Sequence, residues 1–537
     1  MKEINRRNFL GSLGVGASGT LLSRIMPHRE TVKNTEILRL SESEEKINPR
    51  DIKINVKPVY YALIHSGIWE GPCRYTGGGA GPDAERVQYR GNFAKYIEGF
   101  KSSLSQDAKM LEPVYYEFPE FVEIRRKDLK ELEADKEEVD LYVVTGTNLS
   151  QYLATIIGDI YKKPVAHSRD VAGYLGSKGL EGYVTGDFGG LSNLISVLRA
   201  RKAFQQTNML IITDFGIPGY PCRACVSDFE ELKNRFGIGT TIIRFEELSD
   251  ERDRVMKSRN IMEEVENLTD KLIRNAQGVH IGREQLKGDV IFHFTVKSLM
   301  NEYNCNAFAA ECFEFCGTRL PDRWKICPCL NHSLLKDEGY ASACEGDICA
   351  LLAEIVLMNL TKKSALMGNM NVTRKTEGRR RRLGESWETE QWVKGADTEG
   401  DKLWVGHNVP GLKMLGFDKP DLPYEIRNFI NANPTYPGWG GTLKIDFTNI
   451  EEKTVTIVGF GTLATEMLVT TGKVIGMRGF DNTGCSTGAI MEVQDARGFQ
   501  RKATRFGRHF ALTYGDCTQE IAHLADMLKI EVDFHNV

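Results

Sequence analysis

The stretch that most constrains this chain runs from Cys344 to Asn369, C-E-G-D-I-C-A-L-L-A-E-I-V-L-M-N-L-T-K-K-S-A-L-M-G-N. From Ile348 to Leu360 it is almost uninterruptedly apolar. That run is too long for one strand and apolar around most of its circumference, which predicts a buried helix. Glu345-Gly346-Asp347 then stands at the helix N-terminus, where free amides and the dipole favour negative charge. Two carboxylates at the mouth of a buried helix are costly unless a cation sits nearby. They read either as helix caps or as ligands of a metal ion.

Around this stretch the hydrophobic pattern alternates between strands and helices. Val59 to His65 and Asp140 to Gly146 read as strands, Leu149 to Tyr161 as a helix, Pro164 to His167 as a short strand, and Leu191 to Phe204 as a helix. A second cycle starts at Met209 and includes a helix at Phe229 to Arg235 and a strand at Thr240 to Phe245. It continues through one long charged helix from about Ser249 to Asn275 and another from Lys287 to Tyr303. This rhythm predicts parallel sheets with helices on both faces. Beyond Asn369 short strands with glycine-rich punctuation follow one another, which points to an antiparallel sheet or barrel. They are Lys402–Gly406, 441–447, 454–459, 472–478, 488–493, 509–514 and 530–534, with a helix at 519–528 before the last. The expected fold is therefore α/β: two doubly wound parallel-sheet domains followed by a mainly antiparallel, barrel-like C-terminal domain. The divisions fall at 1–27 (signal peptide), 28–57 (linker), 58–205 and 206–366 (α/β domains), and 367–537 (β-rich domain). Residues 371–402, with Arg379 to Arg382, read as a solvated excursion, and the glycine-rich Gly71 to Gly81 as a surface loop.

At 537 residues the chain is too long for one core, and its formal charge of −4 carries no basic excess that would suit a nucleic acid. Arg6-Arg7 followed by Phe9-Leu10 and a mild, glycine-rich apolar stretch resembles a twin-arginine export signal. The expected location is the periplasm or an equivalent exported space, with no stable membrane insertion. Of twelve cysteines, those from Cys305 to Cys349 are crowded together. Cys312/Cys316 and Cys327/Cys329 match neither zinc nor ferredoxin spacing, so buried free thiols are expected, with a cysteine-based metal or redox protein as the rival.

Two of the ten histidines stand at glycine-bordered strand ends, where loops carry ligands: His407 in Leu403-Trp-Val-Gly-His, and His509 in Arg508-His-Phe-Ala-Leu-Thr-Tyr-Gly-Asp. Ala343-Cys-Glu-Gly-Asp before an apolar helix, then Gly-His, then the late His-Phe-Ala-Leu-Thr-Tyr-Gly-Asp, resembles the L-fucose isomerase and L-arabinose isomerase superfamily, in its fucose-isomerase-like branch. The resemblance covers about Cys305 to Leu366, Trp404 to His407 and Arg508 to Val532, and is mainly architectural before Met300. It implies an aldose–ketose isomerase of carbohydrate metabolism acting on a free sugar through an enediol, in a homo-oligomer. It also implies a divalent ion, Mn²⁺ foremost and Mg²⁺ or Zn²⁺ otherwise, held by Glu345, His407 and His509. The family's second carboxylate falls at Asn369, which can ligate through its amide oxygen but cannot carry a proton. Either Asp347 or another group takes that role, or the chain is a catalytically altered sugar- or glycan-binding relative. Trp439, Arg508 and Glu311 are the expected substrate contacts.

Overall fold

Runs of Val, Ile, Leu and Ala buried on both faces build two parallel sheets. The structure, a computed structural model, describes residues 47–65, 81–119, 122–215, 226, 228–373, 400–430, 438–480 and 484–536, with the backbone of short strands at 38–39, 380–383 and 386–389. The expected signal peptide and most of the Gly71 to Gly81 loop lie outside the described residues. The first sheet is six-stranded and centred on Ile54–Ile64, which starts earlier than the expected Val59. Its order is Ala108–Met110, Ile54–Ile64, Leu141–Gly146, Val165–His167, Gly182–Val184, with Val114–Pro119 also along Ile54–Ile64, and every pairing is parallel. The second places Gly239–Ile243, Asn208–Ile212, Ala307–Ala310 and Ala341–Ala343 side by side, again all parallel.

The single long helix expected over 249–275 is two helices, Phe245–Lys257 and Arg259–Asn275. Ser258 separates them: its backbone is extended (φ −83°, ψ 110°), and its hydroxyl accepts from the Ile261 amide at 3.5 Å. A serine able to cap competes with helix continuation, and periodicity alone does not register that. Among the elements not anticipated are the helices Pro82–Ser103 and Cys329–Asp337 and the strands Ala307–Ala310, Ala341–Ala343, Leu366–Thr373 and Tyr424–Ile430. The helix Pro82–Ser103 did carry a start signal, with Gly81 at φ 76° before Pro82-Asp83.

The C-terminal strands close on themselves. Thr454–Phe460, His509–Tyr514, Leu366–Thr373, Lys402–Gly406, Gly488–Glu492 and Glu466–Arg478 pair antiparallel in that order, and the last pairs back to the first. Closure removes sheet edges that would otherwise template aggregation. Glu466–Arg478 serves both neighbours because its register shifts between Val474 and Gly476, a bulge that turns the corner. Glu531–Phe534 adds in parallel outside the ring. Within the expected excursion over 371–402, Arg380–Leu383 pairs antiparallel with Ser386–Thr389.

The predicted buried helix is Ile348–Thr361, and every residue from Ile348 to Leu360 is buried. It belongs to one continuous apolar core that includes Phe204, Met209 and Ala343 of the α/β part and Val405, Ile457 and Leu512 of the barrel. Arg39–Val537 forms a compact unit. No helix among the described residues is long and apolar enough to cross a membrane.

Candidate metal centre

Parallel α/β sheets present ligands in the loops that follow the carboxyl ends of their strands. The second sheet does so with two carboxylates, since Glu311 follows Ala307–Ala310 and Glu345 follows Ala341–Ala343 by one residue. These strands are adjacent, with Ala309 beside Ala343, and the Gly346 amide donates to the Ala310 carbonyl at 2.9 Å. Glu345 has φ 57° and Gly346 φ 60°, so the chain makes a left-handed turn before the helix starts. A left-handed glutamate is strained by roughly 1 kcal/mol or more, and such residues concentrate at functional sites.

Asp347 is the helix N-cap, its Oδ1 accepting from the Ala350 amide at 2.9 Å. Its Oδ2 accepts from His509 Nδ1 at 2.8 Å. The cap expected at the helix mouth is therefore Asp347, while Glu345 is left for other chemistry. With its Oδ1 on the Ala350 amide and its Oδ2 on His509, Asp347 holds the imidazole in place.

The barrel rim supplies the histidines. His509 opens its strand, Asn369 lies directly opposite it on the next strand, and Gly406 lies opposite Asn369 on the third, with His407 following. A Cβ on Gly406 would come within 2.7 Å of the Thr487 carbonyl, and one on Gly488 within 2.3 Å of Gly406 Cα. Only glycine permits that approach at the strand end from which His407 follows. Directly paired residues share a sheet face, so Asn369 stands on the His509 side and is half-buried.

Glu345 Oε1 is 3.2 Å from His407 Nε2, and Oε2 is 3.7 Å from His509 Nε2. The two imidazoles meet edge to face, with centroids 5.6 Å apart. One ligand atom from each of Glu345, His407 and His509 lies within 4.8 Å of the others, and all three side chains are buried. These three could hold a metal ion. Donors around one ion at bonds of about 2.1 Å stand roughly 3 to 3.5 Å apart, close to the separations here. His509 Nε2 is buried without a hydrogen-bond partner, and the Asp347 bond to Nδ1 turns its lone pair toward Glu345. A carboxylate behind a ligating histidine fixes its tautomer and raises its basicity.

No family model matches the chain, and no curated protein matches it.

Glu311 is fully buried and caps the short helix Cys312–Gly317 through the Phe313 amide at 3.1 Å, so it is not a surface charge. Arg508 is exposed, and strand alternation turns it away from the His509 face. Trp439 is half-buried and opens the strand Trp439–Ile445 opposite Ile430, in a separate three-stranded sheet. Two residues were missed from sequence. Cys485 lies against the His407 ring. Lys444 is wholly buried, and its ammonium donates to Asn408 Oδ1 at 2.8 Å, to the Gly479 carbonyl at 3.2 Å and to the Thr487 hydroxyl. It thereby ties down the residue after His407. A lysine in the apolar run Gly441-Thr-Leu-Lys-Ile was the available signal; Cys485 offered none. A cavity of about 220 Å³ lined by Leu360, Lys363 and Tyr514 opens at the other end of the buried helix, about 20 Å from Glu345 by helix rise.

Burial opposes charge on His407, but the electrostatic pull of Cys485 and its bonds to Cys485 and Glu345 win, holding its pKa up at about 9. Burial also opposes charge on His509, where Asp347 and Glu345 again raise the pKa. A metal ion must therefore displace protons. Affinity for a divalent ion is expected to rise with pH, by about tenfold per unit for the His407 proton below about pH 9, that contribution flattening above it. Anaerobic calorimetric titrations on both sides of that pH check this, and a pH-independent affinity contradicts it. Asp347→Ala is expected to weaken metal binding by roughly 10- to 100-fold. It should also destabilise the protein by about 2 to 4 kcal/mol, from the lost cap and the unpaired buried imidazole. Metal titration with denaturation measures both, and an unchanged affinity would show that His509 needs no support.

Proposed function

We propose that this protein is a metal-dependent aldose–ketose isomerase-like enzyme acting on a free sugar, with Mn²⁺ as its ion. The observation that carries this is the buried Glu345/His407/His509 set at the junction of a parallel-sheet edge and a barrel rim. Its mixed oxygen and nitrogen donors, without thiolate, suit Mn²⁺ or Mg²⁺ better than a soft ion. When bound, a divalent ion polarises the carbonyl and neighbouring hydroxyl of a sugar, acidifying the proton between them. Glu345, His407 and His509 would hold it, and Asp347 keeps His509 Nε2 directed at it. Isomerisation then requires a carboxylate that takes the proton from one carbon and returns it to the next. Glu345 and Glu311 are the buried carboxylates at the two adjacent strand ends. Asn369, on the His509 face, can accept or donate a hydrogen bond to a sugar hydroxyl but cannot move a proton.

That amide favours a second reading, a relative that binds a sugar without turning it over. Incubating the Mn²⁺ protein and its Asn369→Asp variant with a panel of aldoses, and following ketose formation by NMR, separates the two. Turnover by the native chain supports the enzyme. Turnover only by Asn369→Asp, expected to exceed the native rate by about 100-fold as a general-base contribution, supports the binding relative. Neither turnover nor sugar binding in either form overturns both.

A further inference from the structure

The proposed chemistry uses none of the cysteines that crowd the metal centre. Cys312 follows Glu311 and Cys344 precedes Glu345, so the two thiols leave the carboxyl ends of adjacent parallel strands. They hydrogen-bond each other. The register puts Cys344 level with Ala310 and Cys312 two residues further on, at the start of the helix Cys312–Gly317, so it is this turn after Glu311 and the thiol–thiol hydrogen bond that bring the two sulfurs together. Cys344 is buried, while Cys312 is partly exposed and offers a point of entry. Cys327 and Cys329 also touch, but both are buried, and only Pro328, in helical conformation, separates them. The ring that pair would close is small and strained.

We propose that Cys312 and Cys344 form a reversible disulfide that switches the metal centre from a binding to a weakly binding form. This rests on the metal reading above. Cys312 attacks a low-molecular-weight disulfide, whose sulfur–sulfur bond breaks and releases one thiol. Cys344 then attacks the Cys312 sulfur and releases the second thiol. The protein loses two protons and two electrons, and the small disulfide gains them. The Cys312 thiol donates its hydrogen bond to the Cys344 sulfur, and that bond and burial both disfavour the Cys312 thiolate, so exchange is slow. The link to the metal is covalent, because Cys344 adjoins Glu345. The Cys344 amide is held on Met367 Sδ at 3.1 Å, and Glu345 is already left-handed. Drawing the Cys344 sulfur toward Cys312 turns the Glu345 carboxylate, and ligand sets tolerate only about 0.5 Å of misplacement.

The test treats the full chain with oxidised glutathione or with dithiothreitol, then maps thiols by differential alkylation and mass spectrometry and titrates Mn²⁺. The expected result is a Cys312–Cys344 cross-linked peptide with Mn²⁺ affinity lowered about tenfold or more, recovered on reduction. Cys312→Ser should bind Mn²⁺ like the reduced native protein and ignore glutathione disulfide. The proposal fails if both thiols remain alkylatable, if Cys327–Cys329 forms instead, or if the mapped disulfide leaves affinity unchanged. In each of those cases Mn²⁺ binding by the reduced protein leaves the metal centre standing. A reduced protein that binds no Mn²⁺ overturns the metal centre itself, and the switch with it.

Discussion

Glu345→Gln is expected to abolish specific metal binding, with Mn²⁺ affinity falling by about 100-fold or more, beyond the roughly 10- to 100-fold typical of residues behind a ligand. The glutamine keeps the size and the left-handed turn but lacks the charge that lies between His407 and His509 at 3.2 and 3.7 Å. It also presents an NH₂ group where a second oxygen stood. The metal-free variant should fold, because the cap that starts the buried helix belongs to Asp347. The readouts are elemental analysis after dialysis and thermal unfolding with and without Mn²⁺. Native protein with the ion at about 100 times its Kd should gain about 2.7 kcal/mol, and the variant nothing. Equal metal content in the two proteins would show that the ion sits elsewhere, and the function proposed here would go with it.

Lys336→Met is expected to cost about 3 to 5 kcal/mol of stability at neutral pH, the penalty for leaving a buried charge without its partner. Lys336 and Glu354 are both fully buried, 3.0 Å apart. The ammonium also donates to the Val409 carbonyl at 2.6 Å, and Glu354 Oε2 accepts from the Ser342 amide at 3.2 Å. The pair joins the helix Cys329–Asp337 to the buried helix and to the chain just after His407. Burial raises the Glu354 pKa to about 6 even with the lysine present. A carboxylate raised above its unfolded value binds its proton more readily when folded, so its burial subtracts stability as pH climbs through that interval. Without Lys336 the folded pKa rises further, and the deficit should be largest at neutral and alkaline pH and shrink below about pH 5. Urea unfolding at both ends of the range measures this. A Lys336→Met/Glu354→Leu double variant should recover much of the loss, since packed apolar groups often replace a buried ion pair without penalty. A loss that is the same at every pH would assign the effect to packing instead.

Much of the fold was legible because apolar periodicity reports burial directly. The run from Ile348 to Leu360 could only be a buried helix, and Leu141–Gly146 and Asn208–Ile212 could only be interior strands. The reading failed where local chemistry cut across the period. Ser258 divided an unbroken helical pattern, and Leu366–Thr373 (L-M-G-N-M-N-V-T) hid a barrel strand behind two asparagines and a glycine. That strand mattered most, because it sets Asn369 opposite His509.

At the site, residue types were readable and their division of labour was not. Glu345, His407 and His509 are separated by 62 and 102 positions in the chain, and composition or spacing alone cannot bring them within a few ångströms. The sequence by itself determined a buried helix opening on two carboxylates, two parallel sheets before it and a β-rich end after it, because those follow from short-range patterning. Only the tertiary structure decided that Asp347 caps and holds while Glu345 faces the imidazoles, that Lys444 anchors the His407 loop, and that Cys312 lies against Cys344. Each depends on where barrel closure and sheet register place distant backbones, and a buried group takes its role from the partners those contacts leave it.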